Sequence, residues 1–155
     1  MDTTQTTHSI IIREAKREEC PLIWSMLFEM MEKWQSAPKG NAKAFETMIF
    51  DEHAAYVLLA LYDDIPAGFC FYTKGVSPAF CMHSITIQNL YVQDSYRRKG
   101  IGTAIWNYLK QKVQEEGLLG LKLFVDALNS EDNAFYTAMG MKPKDVRLSY
   151  RWNTK

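Results

Sequence analysis

Three consecutive cations at positions 97–99 run directly into Gly100-Ile101-Gly102. A strand-like segment ends at Val92 just before them, and a helical pattern begins at about Gly102. Backbone N–H groups at a helix N-terminus are unpaired and carry the positive end of the helix dipole, and glycines let the backbone approach a ligand closely. The spacing therefore predicts a local anion site suited to a pyrophosphate, although a glycine turn beside a solvated charge run has the same composition.

Two familiar phosphate-binding motifs fit this segment poorly. A Walker A loop has Lys and then Ser or Thr after its last glycine, whereas here Lys99 precedes Gly100, which excludes an ordinary P-loop. A dinucleotide fingerprint needs a third glycine where this chain has Ile105. Asp126 follows at near the distance expected for that fingerprint, so this alternative stays open as the weaker one.

The length and charge of the chain limit the classes of protein to which it can belong. With 155 residues, 47% of them hydrophobic, the chain is expected to form one domain over residues 1–155, with 1–8 disordered. Lys plus Arg equals Asp plus Glu at 18 each, so no global field favours nucleic acid or an anionic membrane. The start lacks an apolar signal region, and the longest apolar run, 54–61, is too short to span a bilayer, which predicts a cytoplasmic protein. Three scattered histidines and three cysteines without a CxxC pair predict neither a metal site nor disulfides.

The elements that must position the basic segment follow from hydrophobic periodicity. Strands are predicted at 9–13, 84–92, 121–125 and 146–152, with a hairpin over 54–72, and helices at 18–35, 42–51, 102–116 and 133–139. Gly140 is expected to end the last helix. This order predicts an α/β fold with a single mixed sheet and helices packed on its faces.

The basic segment resembles the acetyl-coenzyme A loop of the GNAT N-acetyltransferase superfamily. That motif reads Gln or Arg, two residues, Gly, any residue, then Gly or Ala, and Arg97, Gly100 and Gly102 match it. The surrounding NLYVQDSYRRKGIGTAIWNYL is similar to the family's strand, loop and helix, and NSEDNAFYTAMGMKP to its later motif. The resemblance extends over nearly the whole chain. It implies the GNAT fold, a mostly antiparallel sheet that splays between strands 4 and 5.

The resemblance also implies the residues that hold acetyl-coenzyme A. The main chain of the fourth strand would bind the pantetheine and the thioester carbonyl, the basic segment the phosphates, and Asn129 and Asn133 the pantetheine or its loop. Tyr136 would lie beside the coenzyme sulfur and protonate the departing thiolate. The cofactor-binding residues implied in this way are Leu90, Tyr91, Val92, Arg97, Arg98, Lys99, Gly100, Ile101, Gly102, Thr103, Asn129, Asn133 and Tyr136.

The group that activates the acceptor is harder to place. An amine with a pKa of about 10.4 is only a few parts in ten thousand neutral at pH 7, a handicap of roughly 4 to 5 kcal/mol. The chain most resembles the spermidine/spermine (diamine) branch, which has acidic residues where this chain has Gln88 and Asn89. Asp126 is the substitute predicted to act as base, although the same residue would also suit the start of a turn.

Further residues are candidates for binding or activating the acceptor. Glu32 and Trp34 at the end of the first helix are predicted to bind it together with Gln88 and Asn89. A solvated helix face is the competing interpretation of Glu32, and Glu52 and His53 are further candidates for the base.

The expected function is acetyl transfer from acetyl-coenzyme A to a primary amine of a small molecule such as a polyamine, diamine or amino-acid amine. Direct transfer in a ternary complex is favoured because no cysteine lies in the basic segment or beside Tyr136. The alternatives are a protein or peptide acetyltransferase and a non-catalytic coenzyme A sensor, with nucleic-acid binding least favoured. Diamine-type relatives imply a homodimer, in which the apolar face of the last strand, Val146, Leu148, Tyr150 and Trp152, packs within or between chains.

Overall fold

The structure is a computed structural model that describes residues 6–126, 128–144, 150 and 152. The strands are β1 (Ile10–Glu14), β2 (Tyr56–Tyr62), β3 (Ile65–Ser77), β4 (Met82–Val92) and β5 (Leu121–Leu123). The helices are α1 (Cys20–Glu32), α2 (Ala42–Phe50), α3 (Ile101–Glu115) and α4 (Ser130–Ala138). Two compact units are distinguished: the first ends at Phe124 and the second begins at Val125.

The five strands form one sheet in the order β1-β2-β3-β4-β5. The first three pairings are antiparallel and β4 pairs with β5 in parallel, which confirms the predicted mixed, mostly antiparallel sheet. The parallel pairing joins only Ile85–Ile87 to Leu121–Leu123. Residues 88–92 of β4 therefore continue beyond β5, and this is the expected splay between strands 4 and 5.

A two-residue turn joins β2 to β3, as the sequence predicts. Asp63 and Asp64 both have positive φ, 49° and 65°, the conformation of a type I′ hairpin turn. The Asp63 carboxylate accepts from the Ser9 amide at 2.8 Å and from the His8 ring at 2.6 Å. His8 also stacks on Tyr62, so the last residue of the segment expected to be disordered has defined contacts.

The face of the sheet against α1 and α2 holds a hydrophobic core. Helix α1 begins at Cys20, with Pro21 in its first turn, and ends at Glu32, three residues before the predicted end. The residues before it form a 3₁₀ turn at Arg17–Glu19 rather than α-helix. The core cluster consists of Cys20, Ile23, Met26, Met30, Phe45, Ile49, Val57, Leu59, Phe69 and Tyr91.

Helix α3 covers the opposite face. Its buried residues Ile101, Ile105 and Leu109 recur every four positions and are at most 1% exposed. Strand residues that alternate with the first core, such as Leu58 and Cys70, are fully buried on this side. The start of α3, and with it the end of the basic segment, is thus anchored by packing.

The second unit contains α4, which starts three residues earlier than predicted. Asn129 is the N-cap, because its side chain accepts from the Asp132 amide. Gly140 ends the helix at φ 85°, with the Met141 amide bonded to the Tyr136 carbonyl, the geometry of a Schellman motif. Most of the strand predicted at 146–152 lies outside the described residues, which include only Tyr150 and Trp152 of that range.

Candidate functional site

The basic loop, residues 97–103, joins β4 to α3 through left-handed backbone. Arg98 has φ 60° and Gly100, the N-cap of α3, has φ 87°. A non-glycine residue in this region costs roughly 1–2 kcal/mol, and such strain is concentrated at functional sites. Sequence reasoning anticipated the glycine but not the left-handed conformation of Arg98.

The N-terminus of α3 presents unpaired backbone donors. The first helical hydrogen bond that reaches back to the loop runs from the Ala104 amide to the Gly100 carbonyl at 3.0 Å. The amides of Ile101, Gly102 and Thr103 precede it and lack intrahelical acceptors. The Ile101 side chain is buried, so this residue offers the loop its main chain only. The donor set fits an anionic group such as a phosphate.

Arg97 connects this loop to the end of β4. Its Nε donates to the Val92 carbonyl oxygen at 3.2 Å and lies 3.3 Å from the Asp94 carboxylate. Asp94 also pairs with Lys33 at the end of α1, and this hydrogen bond lowers the pKa of the Asp94 carboxyl group. Lys99 lies over the Tyr62 ring, 5.2 Å from its centroid. Arg97 and Lys99 thus contact residues of the sheet while their side chains stay exposed.

A β-bulge at Gln88 changes the faces of β4. Phe71 pairs with Asn89 but Tyr72 pairs with Ile87, so Gln88 has no partner in the register with β3. Its side chain donates to Thr73 Oγ1 at 3.2 Å. Beyond the bulge, Asn89 and Tyr91 lie on the face covered by α1. Of these two residues, which the sequence placed together as acceptor-binding residues, Asn89 lines the pocket on this face and Gln88 does not.

A carboxylate of α1 contacts the end of β4. Glu29 lies 3.3 Å from the Tyr91 hydroxyl and accepts from Gln93 Nε2 at 3.1 Å. Burial, assisted by the Glu29 charge, raises the pKa of Tyr91 to about 12, so its hydroxyl stays protonated at neutral pH. Sequence reasoning missed Glu29, because only the packing of α1 against β4 brings it there.

An aromatic pocket of about 200 Å³ opens on the α1 and α2 face of the sheet. Its seven lining residues come from two helices and two strands: Trp24, Leu27, Phe45, Met48, Phe69, Phe71 and Asn89. The Phe45 ring lies 5.4 Å from Trp24 and 5.8 Å from Phe71, centroid to centroid. The helical spacing of Trp24 and Leu27 was visible in the sequence, but their convergence with α2 and β3 was not.

The residues predicted at the end of α1 lie away from this lining. Glu32 is the exposed last residue of α1, and Trp34 follows the helix with 61% of its surface exposed. Neither lines the pocket. Met26 and Met30 of the same helix belong to the hydrophobic core.

In the second unit, hydrogen bonds join three of the predicted site residues. The Asp126 carboxylate accepts from the Leu128 amide at 2.9 Å and starts a turn, while Asn133 Nδ2 donates to the carbonyls of Asp126 and Asn129 at 3.0 and 2.7 Å. Asn129 caps α4 and therefore lies before the helix rather than on its face. Tyr136 is half-buried on α4, and its ring is edge-on to Phe135 at 5.1 Å.

The described residues lack the features of two other classes of protein. No group of three or more His, Cys, Asp or Glu among them has the arrangement of a metal site. In the same part of the chain, no helix combines the length and apolar character needed to cross a membrane.

Comparison with known proteins identifies the family. The model of the acetyltransferase (GNAT) family matches residues 14–141. The chain is 24% identical to thialysine N-epsilon-acetyltransferase of Sus scrofa, over 94% of this chain and 91% of that protein. It is 31% identical to the ribosomal protein bS18-alanine N-acetyltransferase of Escherichia coli (strain K12), over 42% of this chain and 44% of that enzyme.

A solved structure shares the fold. The crystal structure of a "possible acetyltransferase" from Clostridium difficile 630 superposes with a TM-score of 0.82 at 24% identity and covers 94% of this chain and 98% of its own. The family match over residues 14–141 includes strands β2 to β5, the basic loop and α4. The chain therefore belongs to the acetyltransferase (GNAT) family and is an N-acetyltransferase.

Proposed function

We propose that this enzyme transfers the acetyl group of acetyl-coenzyme A to the primary amine of a small molecule. The observation that carries the proposal is the end of β4: residues 88–92 have no pairing with β5 and lead directly into the basic loop at the N-terminus of α3. Main-chain donors and acceptors of Leu90 to Val92 would bind the pantetheine and the thioester carbonyl. The amides of Ile101 to Thr103, with Arg97, Arg98 and Lys99, would bind the phosphates.

Direct transfer requires that the chain control two protons. Bound acetyl-coenzyme A supplies an acyl group activated as a thioester. As the amine nitrogen bonds to the acyl carbon and the carbon–sulfur bond breaks, the amine loses a proton and the thiolate gains one. Tyr136 is proposed to give the proton to the thiolate, and Asp126 to take the proton of the amine, directly or through water.

The acceptor is proposed to be a polyamine, a diamine or an amino-acid amine. Similarity to a thialysine N-epsilon-acetyltransferase supports an amine on a small flexible molecule. Neutral Gln88 and Asn89 in place of carboxylates are better suited to an acceptor with fewer positive charges than a polyamine carries.

Thiol release from acetyl-coenzyme A, measured across polyamines, diamines, amino acids and aminoglycosides, tests this function. Tyr136→Phe should reduce kcat by about 10²-fold or more with little change in KM for the coenzyme, because it removes a proton donor used in the transition state. Tyr56→Phe, on β2, is the matched control and should be neutral. Full activity of the Tyr136 variant would remove this residue from the mechanism.

A protein or peptide substrate is the second candidate. The partial match to a ribosomal-protein alanine acetyltransferase favours it, and neutral Gln88 and Asn89 are compatible with a peptide amino terminus. A peptide with a free amino-terminal alanine belongs in the same panel. A kcat/KM for that peptide above those of all free amines would select this candidate.

A single domain over residues 1–155, a cytoplasmic location and a homodimer complete the proposal. The family match over residues 14–141 supports the single domain. Light scattering at micromolar concentration tests the dimer, and a monomeric mass would reject it.

A further inference from the structure

The residues that line the aromatic pocket indicate what kind of acceptor group fits there, which the proposed function does not specify. Among the described residues that line it, Asn89 contributes the one polar side chain, and none of the seven carries a charge. Without a carboxylate, such a lining offers a cationic group only cation–π attraction, whereas its four aromatic rings present flat apolar surface to an uncharged group. A cavity of about 150 Å³ with an apolar lining suffices for a benzene molecule, and this pocket is about 200 Å³.

The pocket adjoins the proposed reaction site through one residue. Asn89 is the first residue of β4 beyond the bulge, in the half of the strand that extends past β5. Its side chain lines the pocket, while the main chain of the next residue, Leu90, begins the segment proposed to hold the thioester. A molecule seated in the pocket would therefore reach the reacting carbonyl along β4.

We propose that this pocket binds the apolar group of the acceptor, a phenyl-sized ring or branched aliphatic group carried on the amine. This inference rests on the proposed transfer to a small-molecule amine and narrows the acceptor to amines that carry an apolar group, which disfavours polyamines and diamines. Asn89, whose side chain has no hydrogen-bond partner in the described part of the chain, offers the amide that orients the polar end of the acceptor. The rings of Trp24, Phe45 and Phe71 provide the stacking surfaces.

Acetylation of 2-phenylethylamine and of n-propylamine provides the test. We expect kcat/KM to be at least about tenfold higher for 2-phenylethylamine, because even one methylene in an apolar pocket contributes about 10-fold or more. Putrescine, which carries a second cation, should be the poorest of the three acceptors. Calorimetric binding of 2-phenylethylamine to the free enzyme is measured in parallel, since it does not depend on turnover.

Substitutions that fill the pocket show whether the preference for 2-phenylethylamine depends on the pocket or has another cause. Leu27→Trp and Met48→Trp add bulk from two different half-buried helix positions. Both should abolish binding of 2-phenylethylamine and reduce its kcat/KM advantage over n-propylamine to about threefold or less, while coenzyme A binding persists. Leu22→Trp is the matched control, because Leu22 is on the same helix, is 39% exposed and does not line the pocket.

The outcomes distinguish the two proposals. The pocket inference is overturned if n-propylamine and putrescine are acetylated at least as efficiently as 2-phenylethylamine. It is also overturned if 2-phenylethylamine keeps its higher kcat/KM in both Leu27→Trp and Met48→Trp. The proposed function stands in either case. Binding of 2-phenylethylamine that both fillers abolish, without acetylation of any amine, supports the pocket and overturns the small-amine function. If 2-phenylethylamine does not bind and no amine is acetylated, both proposals are overturned.

Discussion

A Cβ added to Gly68 would lie 2.4 Å from the carbonyl oxygen of Tyr91. The backbone of β3 fixes the position of this Cβ and the carbonyl belongs to the backbone of β4, so no side-chain rotation relieves the contact. Tyr91 belongs to the part of β4 proposed to hold the pantetheine. The packing of β3 thus fixes the position of main-chain groups that are proposed to bind the coenzyme.

Gly68→Ala is therefore predicted to destabilise the protein by about 1–3 kcal/mol, as other overpacking substitutions do. It should also weaken coenzyme A binding, because β4 must shift away at Tyr91. Denaturant unfolding and calorimetry measure the two effects. Gly75→Ala is the matched control on the same strand, where the new Cβ would meet only Ser84 Oγ at 3.5 Å. If both variants lost the same stability and the same affinity for coenzyme A, the contact between position 68 and Tyr91 would not be the cause.

The left-handed N-cap of α3 gives a second prediction. Gly100→Ala should cost about 1–2 kcal/mol of stability, because Gly100 has φ 87°. Coenzyme A binding should weaken as well, since relaxation of this residue rotates the amides that follow it. Gly117 has φ 63° at the end of α3, and no described residue apart from its chain neighbours lies within 4 Å of a Cβ added there. Gly117→Ala should lose similar stability but keep its affinity for coenzyme A, and a parallel loss of affinity would argue against the loop as the phosphate site.

The elements of the first unit were largely predictable from the sequence because local signals agree there. Alternating apolar residues, the Asp63-Asp64 turn and the helical stripe of Ile101, Ile105 and Leu109 each indicate one structure. The observed helix boundaries differ from the predicted ones where a local hydrogen bond determines them. The first helix starts late because Glu19 binds the Lys16 amide and holds a 3₁₀ turn before it.

The site was predictable only where it consists of contiguous residues. The basic loop is read directly from the chain, but the pocket is assembled from α1, α2, β3 and β4, whose contacts no periodicity reports. The bulge at Gln88 is equally invisible, because nothing local marks the residue that β3 leaves unpaired. Gln88 and Asn89 consequently looked equivalent in the sequence, whereas only Asn89 lines the pocket.

Cysteine chemistry gives a test of direct transfer. Burial raises the pKa of the Cys20 and Cys70 thiols, whereas Cys81 is exposed in the β3–β4 turn. Iodoacetamide should therefore modify only Cys81 in the native enzyme, and Cys81→Ser should retain full kcat. Initial-rate plots should intersect, as for a ternary complex. Parallel lines, or loss of activity in the serine variant, would indicate an acyl-enzyme instead.

Acid sensitivity should depend on the pair of Arg13 and Glu19. Arg13 donates to both carboxylate oxygens, at 2.9 and 2.6 Å, and this hydrogen bonding lowers the pKa of Glu19 below 4.5. A carboxyl group with a lowered folded-state pKa contributes stability above its unfolded pKa and loses it as the pH falls through the folded value. Glu19→Gln should therefore cost about 1–2 kcal/mol at pH 7, with the difference from wild type shrinking below about pH 4.5.

Denaturant titrations at several pH values measure that difference. Glu18→Gln is the control, because the adjacent Glu18 affects Arg13 only through its charge. A penalty for Glu19→Gln that stays constant down to pH 3 would show that packing, rather than the ionised carboxylate, accounts for the loss.

The proposed base can be separated from its structural role by one isosteric change. Asp126→Asn keeps an oxygen that accepts from the Leu128 amide, so the turn and the thermal midpoint should persist. If Asp126 takes the proton of the amine, kcat/KM should fall by about 10²-fold or more. Asp126→Ala removes both functions and should lose stability as well as activity. An Asn variant with wild-type kcat/KM would assign Asp126 to the turn alone, and amine deprotonation would then fall to another group or to solvent.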